Sequence, residues 1–264
     1  MGTSGTSFNQ ANQGSDKPYV LSIAGFDPSA GAGVLADIKT FESNGVYGFG
    51  VVSALTWQND VNFEKVEWID SYKIIQQISV LLRRFDIKYI KIGLIESLGV
   101  LKQLVCFLKE RIKDPVIIYD PIMKASAGYT FYQGGHEHFT GTMHSLSCIT
   151  PNIPEAEQLF GADNLHVKLA YESKFVNIFL KGGHADDALS SDILFSKQKT
   201  YTFSHVRLPN GEKHGSGCVL ASALTAQLAL GNRIIDAAKN ANKYTYNFLS
   251  SNETLLGYHN IIHS

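Results

Sequence analysis

The sequence predicts an α/β protein, and three observations carry that expectation. A series of short apolar runs reads as strands: Tyr19–Ala24, Gly48–Thr56, Tyr89–Gly93, Pro115–Asp120, Leu146–Thr150 and Phe175–Leu180. Stretches with helical spacing lie between them; Val34, Leu35, Ile38 and Phe41 are one example, closed by Gly45. The first strand breaks into a glycine-rich turn, Gly25–Gly33, that leads straight into that helix. Strand, glycine turn and helix are how α/β proteins hold a small ligand at the carboxyl end of a strand. The 264 residues, 44% hydrophobic and 18% charged, are ordinary globular composition with ample length for a core. There is no internal repeat and no linker, so one domain is expected over residues 18–264. Residues 1–17 are rich in Gly, Ser, Thr, Asn and Gln and are expected to be a disordered leader.

Bulk properties exclude several classes. A net charge of −1 without a basic stripe gives no footing for nucleic acid. The three cysteines, Cys106, Cys148 and Cys218, form no CxxC pair and are odd in number, which argues against a disulfide scaffold or zinc and for a reducing compartment. No apolar run approaches the roughly 20 residues that span a bilayer. No secretory signal is visible either, and the expectation is a cytoplasmic protein with no membrane partner.

Taken in order, the turn after the first strand is neither G-x-G-x-x-G nor G-x-x-x-x-G-K-[ST], so neither a dinucleotide fingerprint nor a P-loop is supported. Asp37 falls on the first turn of the following helix, either as a site acid or as a favourable charge near a helix start. Gln58, at the end of the second strand, suits the donor and acceptor edge of a heterocycle, or a turn. Val61–Trp68 alternates apolar and polar residues, as an exposed strand that covers a site would. Asp70 and Ser71 cap a helix running to about Arg84. Leu94 lies just past the third strand, and Ser97–Ile112 is an amphipathic helix with Cys106 expected in its packed face.

The fourth strand closes on Asp120-Pro121, followed by a loop from Ile122 to Gly128 and a helix from about Gly134 to His144. His136, His138 and His144 have no partner at metal spacing and read as surface histidines. After the fifth strand, Pro154 and the acids behind it are good helix-start chemistry, so Asn152 and Glu155 have a capping reading beside a functional one. The sixth strand ends in Lys181-Gly182-Gly183-His184, a candidate phosphate neighbour. Ser191–Phe195 and Thr200–Phe203 form a hairpin. It leads to His214-Gly215-Ser216-Gly217-Cys218, where glycines and an incipient helix turn unpaired N–H groups toward one point. That is an anion site. Cys218 sits at the helix mouth, where a thiol pKa tends to fall; the alternative is a tight turn with an inert cysteine. Helices Cys218–Leu230 and Arg233–Leu249 end the fold.

Together the motifs resemble one family. They are Ser22–Gly33, Ala36–Phe41, Gly45–Gly48, Ala54–Asn59, Lys91–Gly93, Asp120–Met123, Ile149–Glu157, Leu180–His184 and His214–Cys218, in this order over most of the chain. The sequence is similar to the hydroxymethylpyrimidine/phosphomethylpyrimidine kinases of thiamine synthesis, in the ribokinase-like superfamily. The resemblance implies a three-layer α/β/α sandwich with a central, mostly parallel sheet and a small strand-hairpin flap. It implies transfer of the γ-phosphoryl of ATP, with Mg²⁺, to 4-amino-5-hydroxymethyl-2-methylpyrimidine and then to its monophosphate. By position, Gly25, Asp37 and Gln58 would face the aminopyrimidine, with Leu94 and Ile122 as apolar pocket residues. Asn152 and Glu155 match an Asn-x-x-Glu motif whose glutamate organises Mg²⁺. Lys181 and Gly183 would lie by the nucleotide, Gly215, Ser216, Gly217 and Cys218 would form the anion hole, and Cys218 stands where the family has its base. A homodimer through Val61–Trp68 is implied as well.

The chain departs from that pattern in three places. Ala125-Ser126-Ala127-Gly128 lacks the usual loop lysine, for which Lys124 is a substitute; the segment from Phe160 to Phe175 is short, as if a helix were trimmed; and Glu212-Lys213 replaces Asn-Thr before the histidine. The competing readings are a pyridoxal or pyridoxine kinase, with a similar hydroxymethyl-bearing ring, and a catalytically inactive pyrimidine-binding protein.

Overall fold

A computed structural model describes residues 17–123, 139–182, 189–209 and 211–259. The apolar runs become β1 (Tyr19–Phe26), β2 (Tyr47–Gln58), β4 (Tyr89–Ile92), β5 (Val116–Tyr119), β6 (Cys148–Ile149) and β7 (Asn177–Leu180). They pair in parallel in the order β2-β1-β4-β5-β6-β7. Three antiparallel strands extend the two edges: β3 (Phe63–Trp68) beside β2, and the hairpin β8 (Leu189–Ser196) and β9 (Lys199–Val206) beside β7. Among the described residues this is one nine-stranded sheet.

Strands buried on both faces need continuous apolar sequence, and β1 is buried from Val20 to Gly25. Its alternate side chains enter different layers. Leu21 and Ile23 pack with α2 (Ser71–Leu82), α3 (Leu98–Arg111), α5 (Ile153–Phe160) and α6 (Leu165–Glu172), together with Phe139 and Met143 of α4 (Phe139–Met143). Val20 packs with Phe41 of α1 (Gly33–Ser43) and Ala226 of α7 (Ser216–Ala229). Ile118, Cys148 and Phe179 face α7 and α8 (Ile234–Leu249) on that second side. The outcome is the α/β/α sandwich.

Asp70 caps α2 by accepting from the Tyr72 N–H, as its sequence position predicts. The hairpin turn sits at Lys197 and Gln198, both at positive φ, which matches the twist of tightly connected strands. One expectation is corrected. Cys106 is exposed, because the buried stripe of α3 runs through Leu101, Leu104, Val105 and Leu108 and leaves position 106 on the outer face. The span from Phe160 to Phe175 holds one short helix, the two-turn α6. His144 lies just beyond α4 and pairs with Glu172 at 3.1 Å. Residues 1–16, Lys124–Gly128, His136, His138, Gly183 and His184 lie outside the described residues.

Candidate active site

The carboxyl ends of β1, β4, β5, β6 and β7 all open at one edge of the sheet, and α1 and α7 begin there. Gly215 makes this convergence possible. It has φ +76°, and a Cβ on it would sit 2.1 Å from the Gly31 oxygen and 2.8 Å from the Ala32 Cα. Only glycine tolerates both the left-handed backbone and that approach. The starts of α1 and α7 are therefore pressed together, and neither has a side-chain cap. Helix starts without a side-chain cap and two converging dipoles make a place for an anion.

Cys218 lies inside this junction. The residue is only 7% exposed, and its thiol accepts a hydrogen bond from the Gly33 N–H. Burial pushes its pKa up to about 12, against the pull of the nearby Lys91 cation; the carboxylates of Asp120 and Asp37 add to the rise. The expected lowered thiol pKa is thus corrected. The helix start is present, but loss of solvent outweighs it.

Two lysine–carboxylate clusters flank the junction. In the first, Lys91 of β4 meets Asp37 of α1, both without exposed side-chain surface. Lys91 Nζ donates to both carboxylate oxygens, at 3.0 and 2.9 Å. The Ser222 hydroxyl, one turn after Cys218 on α7, donates to Oδ1 at 2.6 Å, and the Ser22 hydroxyl of β1 donates to Oδ2 at 2.5 Å. Burial disfavours the Lys91 cation, but Asp37, together with Cys218 and Asp120, holds the lysine pKa above its ordinary value. Each Asp37 oxygen already accepts two hydrogen bonds. The carboxylate expected to face a ring is thus fully partnered within the protein, and a ligand reaches it as a serine hydroxyl swings away.

The second cluster is less complete. Lys181, at the end of β7, donates to Asp120 Oδ1 at 2.7 Å and lies 3.7 Å from Glu155. Thr150 also donates to Asp120 Oδ1, whereas Asp120 Oδ2 is buried with no partner among the described residues. Asn152 and Glu155 form a reciprocal capping box at the start of α5: the Glu155 N–H donates to Asn152 Oδ1 at 2.9 Å, and the Asn152 N–H to Glu155 Oε2 at 2.8 Å. The helix-start reading of these two residues is therefore realised, and it aims the glutamate at Lys181. Burial pushes the Glu155 pKa up to about 7; Lys181 opposes that rise and Asp120 adds to it. Burial also works against the Lys181 cation, but Asp120 and Glu155 hold its pKa above the ordinary lysine value. A Cβ on Gly217 would lie 3.1 Å from Lys181 Nζ, so this lysine reaches the first turn of α7.

A third contact joins the glycine turns directly. His214 Nε2 lies 2.8 Å from Asp27 Oδ2, and Asp27 also accepts from Ser29 and the Ala32 N–H. Both side chains are buried. Of the expected ring contacts, Gly25 and Leu94 do meet: a Cβ on Gly25 would sit 2.9 Å from Leu94 Cδ2. Ile122 is half-buried directly after β5. Gln58 lies apart from the lysine clusters, in a cleft of about 230 Å³ lined also by Pro28, Trp57, Asn59, Asn62 and Glu64. Its amide donates to Thr56 Oγ1.

Sequence reasoning missed Asp27, Lys91, Asp120 and His214 as site residues. Lys91 carried a signal, since a lysine inside an apolar strand has to find a buried partner. Asp27 and Asp120 directly follow strand carboxyl ends, where α/β proteins build their sites.

An α/β/α sandwich whose strand ends carry an uncapped helix junction beside a lysine and two buried carboxylates has the makings of a ribokinase-like phosphotransferase. The particular family follows from comparison: the phosphomethylpyrimidine kinase model matches residues 27–263, and the chain belongs to that family. It is 32% identical over 240 residues to the hydroxymethylpyrimidine/phosphomethylpyrimidine kinase of Staphylococcus aureus, covering 86% of this chain and 87% of that one. The crystal structure of phosphomethylpyrimidine kinase from Clostridium difficile has a TM-score of 0.69 at 30% identity, covering 87% of this chain and 98% of the other. Pyridoxal kinase from Staphylococcus aureus, in complex with AMP-PCP and pyridoxal, has a TM-score of 0.76 at 25% identity, covering 90% and 89%.

Proposed function

We propose that this chain phosphorylates 4-amino-5-hydroxymethyl-2-methylpyrimidine with ATP, and then its monophosphate, in thiamine synthesis. The observation that carries this reading is the reach of Lys181 from the Asp120–Glu155 pair to the first turn of α7. A phosphoryl group in flight needs alignment and charge neutralisation more than covalent help. The amides of Gly215–Cys218 receive its negative charge, and Lys181 balances it from the nucleotide side with Asn152 and Gly183. Gly25, Leu94 and Ile122 form the apolar slot and Gln58 pairs with the ring edge; Asp37 accepts from the ring's amino group once Ser22 or Ser222 releases it. Cys218 enters as a protonated thiol that hydrogen-bonds the reacting hydroxyl, not as a preformed thiolate.

Mg²⁺ fits the second cluster. Asp120 Oδ2 is a buried carboxylate oxygen with no partner, and Glu155 stands beside it. Among the described residues no group of three or more His, Cys, Asp or Glu side chains could hold a metal. Two carboxylates suit an ion that keeps waters and substrate phosphates as its other ligands. When bound, it would neutralise charge on the nucleotide phosphates. We further propose a single domain over residues 18–264, a cytoplasmic location and a homodimer through the exposed β3 edge. Among the described residues, no helix is long and apolar enough to cross a membrane.

The test is steady-state ADP release with Mg-ATP on the hydroxymethylpyrimidine, its monophosphate and pyridoxal. Turnover on both pyrimidines is expected. Turnover on pyridoxal alone would overturn the reading in favour of the pyridoxal kinase whose fold this chain shares.

A further inference from the structure

Lys213 stands two residues before Gly215, where a lysine in a phosphoryl-transfer site would ordinarily be assigned to a phosphate. The structure uses it differently. The side chain is 5% exposed, and its Nζ donates to the Asn252 carbonyl oxygen at 2.6 Å, to Asn252 Oδ1 at 3.2 Å and to the Thr254 carbonyl oxygen. An ammonium has three N–H bonds, and all three are taken. Every acceptor is a neutral oxygen, and among the described residues no carboxylate lies within ion-pair distance. A ring of carbonyl oxygens around one positive charge is the ligand set that holds a bare monovalent cation.

The oxygens belong to the segment after α8, which lies across the glycine junction. The His214 N–H donates to the Leu255 oxygen at 2.9 Å, next to the Lys213 contact. Leu256 packs where a Cβ on Gly31 would meet its Cδ2 at 2.8 Å, and His214 Cδ2 meets the same point at 2.5 Å. Asn252 holds the segment's own turn, accepting from the Thr254 N–H and donating to the Leu256 oxygen. One short strap thus touches both glycine turns, with Lys213 as its charged fastening.

We infer that Lys213 is a positioning residue: its ammonium is a tethered cation that clamps residues 252–255 onto the Lys213–Gly215 turn and so fixes the amides at the start of α7. The inference rests on the kinase reading and deepens it. Misplacing those amides weakens the charge stabilisation while leaving the aromatic slot intact, so the loss falls on kcat and not on KM.

The experiment compares Lys213→Met, Lys213→Arg and Lys213→Ala with the parent protein. Lys213→Met is expected to lose about 10–100-fold in kcat with KM for the alcohol nearly unchanged, the scale of a small misalignment. Lys213→Arg keeps part of the rate. Lys213→Ala is partly and saturably restored by added ammonium or potassium ions, to which the parent is indifferent. A second readout needs no substrate: amide exchange at His214, protected by Leu255, becomes faster in Lys213→Met while the strands keep their protection. The inference fails if Lys213→Met keeps kcat within about twofold and the His214 amide remains protected. It fails equally if no cation restores Lys213→Ala. Should Lys213→Met not fold, Asn252→Ala, which removes one of three acceptors, carries the same paired readout with a smaller loss. If the parent is inactive on the pyrimidines, the kinase reading fails, and the exchange result still decides the clamp.

Discussion

The two lysine–carboxylate clusters at the strand ends use the same chemistry and reach opposite conditions. Around Asp37, every carboxylate oxygen accepts two hydrogen bonds and nothing is exposed. Around Asp120, one oxygen is shared by Lys181 and Thr150 while the other is buried without a partner among the described residues. A buried charge must be compensated, and the first cluster compensates itself. The second leaves capacity that a ligand completes. Saturation lets the first hold α1, α7 and β4 together beneath the junction before any ligand arrives; the missing bonds leave the second open to one.

That contrast predicts different losses on substitution. Lys91→Met strands the Asp37 carboxylate without solvent and is expected to destabilise the fold by about 3–5 kcal/mol. Combining it with Asp37→Leu should recover most of the loss, read as the urea midpoint at constant m. A single variant as stable as the parent would abolish the distinction. Asp120→Asn acts the other way. The urea midpoint should stay near the parent's, while kcat falls by about 10²–10³-fold, the range seen when one charge-stabilising group leaves a transition state. If Asp120→Asn unfolds as readily as Lys91→Met, both clusters are framework.

The thiol between the clusters sharpens the comparison further. With its pKa pushed up to about 12, Cys218 is protonated in the free enzyme at neutral pH. The kcat/KM profile should therefore lack a rising limb near the ordinary thiol pKa of about 8.5, and iodoacetamide should modify exposed Cys106 well before Cys218. A rising limb there, together with rapid alkylation of Cys218, would restore the thiolate.

The sheet was legible because doubly buried parallel strands have to be largely apolar, and β1, β4, β5 and β7 are so except at Ser22, Lys91 and the polar ends. The site was legible at Gly215, where a left-handed backbone and the close Gly31 oxygen exclude a side chain. It was much less so at single charged residues. Asp37 could be placed on a helix start, but its four hydrogen bonds come from α7, β1 and β4, which no local pattern connects. Asn152 and Glu155 illustrate a different limit: capping and function use the same residues, so the capping box could not exclude the functional reading. For Cys218, position at a helix start and burial push in opposite directions, and burial is settled by long-range packing. Cys106 failed for a local reason, since the apolar stripe of α3 passes one face over.

The smallest predicted effect lies at the far end of the strap that Lys213 fastens. His259 Nδ1 lies 3.1 Å from the Tyr244 hydroxyl and 3.5 Å from Thr40 Oγ1, against the Phe248 ring and near the Lys39 cation. Burial lowers its pKa from 6.5 to about 4, and Lys39 adds to the fall. The unfolded chain therefore takes up the proton first. Stability from the neutral imidazole is present above about pH 6.5 and is lost as pH falls toward 4. His259→Gln keeps a polar group beside Tyr244 without a titration in that window, so its melting temperature should fall less on acidification. A difference of about 2–4 °C between the two proteins, on going from about pH 7 to about pH 5, corresponds to roughly 1 kcal/mol in a domain of this size. Parallel melting curves across that range would mean that the strap's end is already detached when the fold melts. The strap would then be held at the junction end, through Lys213, the His214–Leu255 hydrogen bond and Leu256.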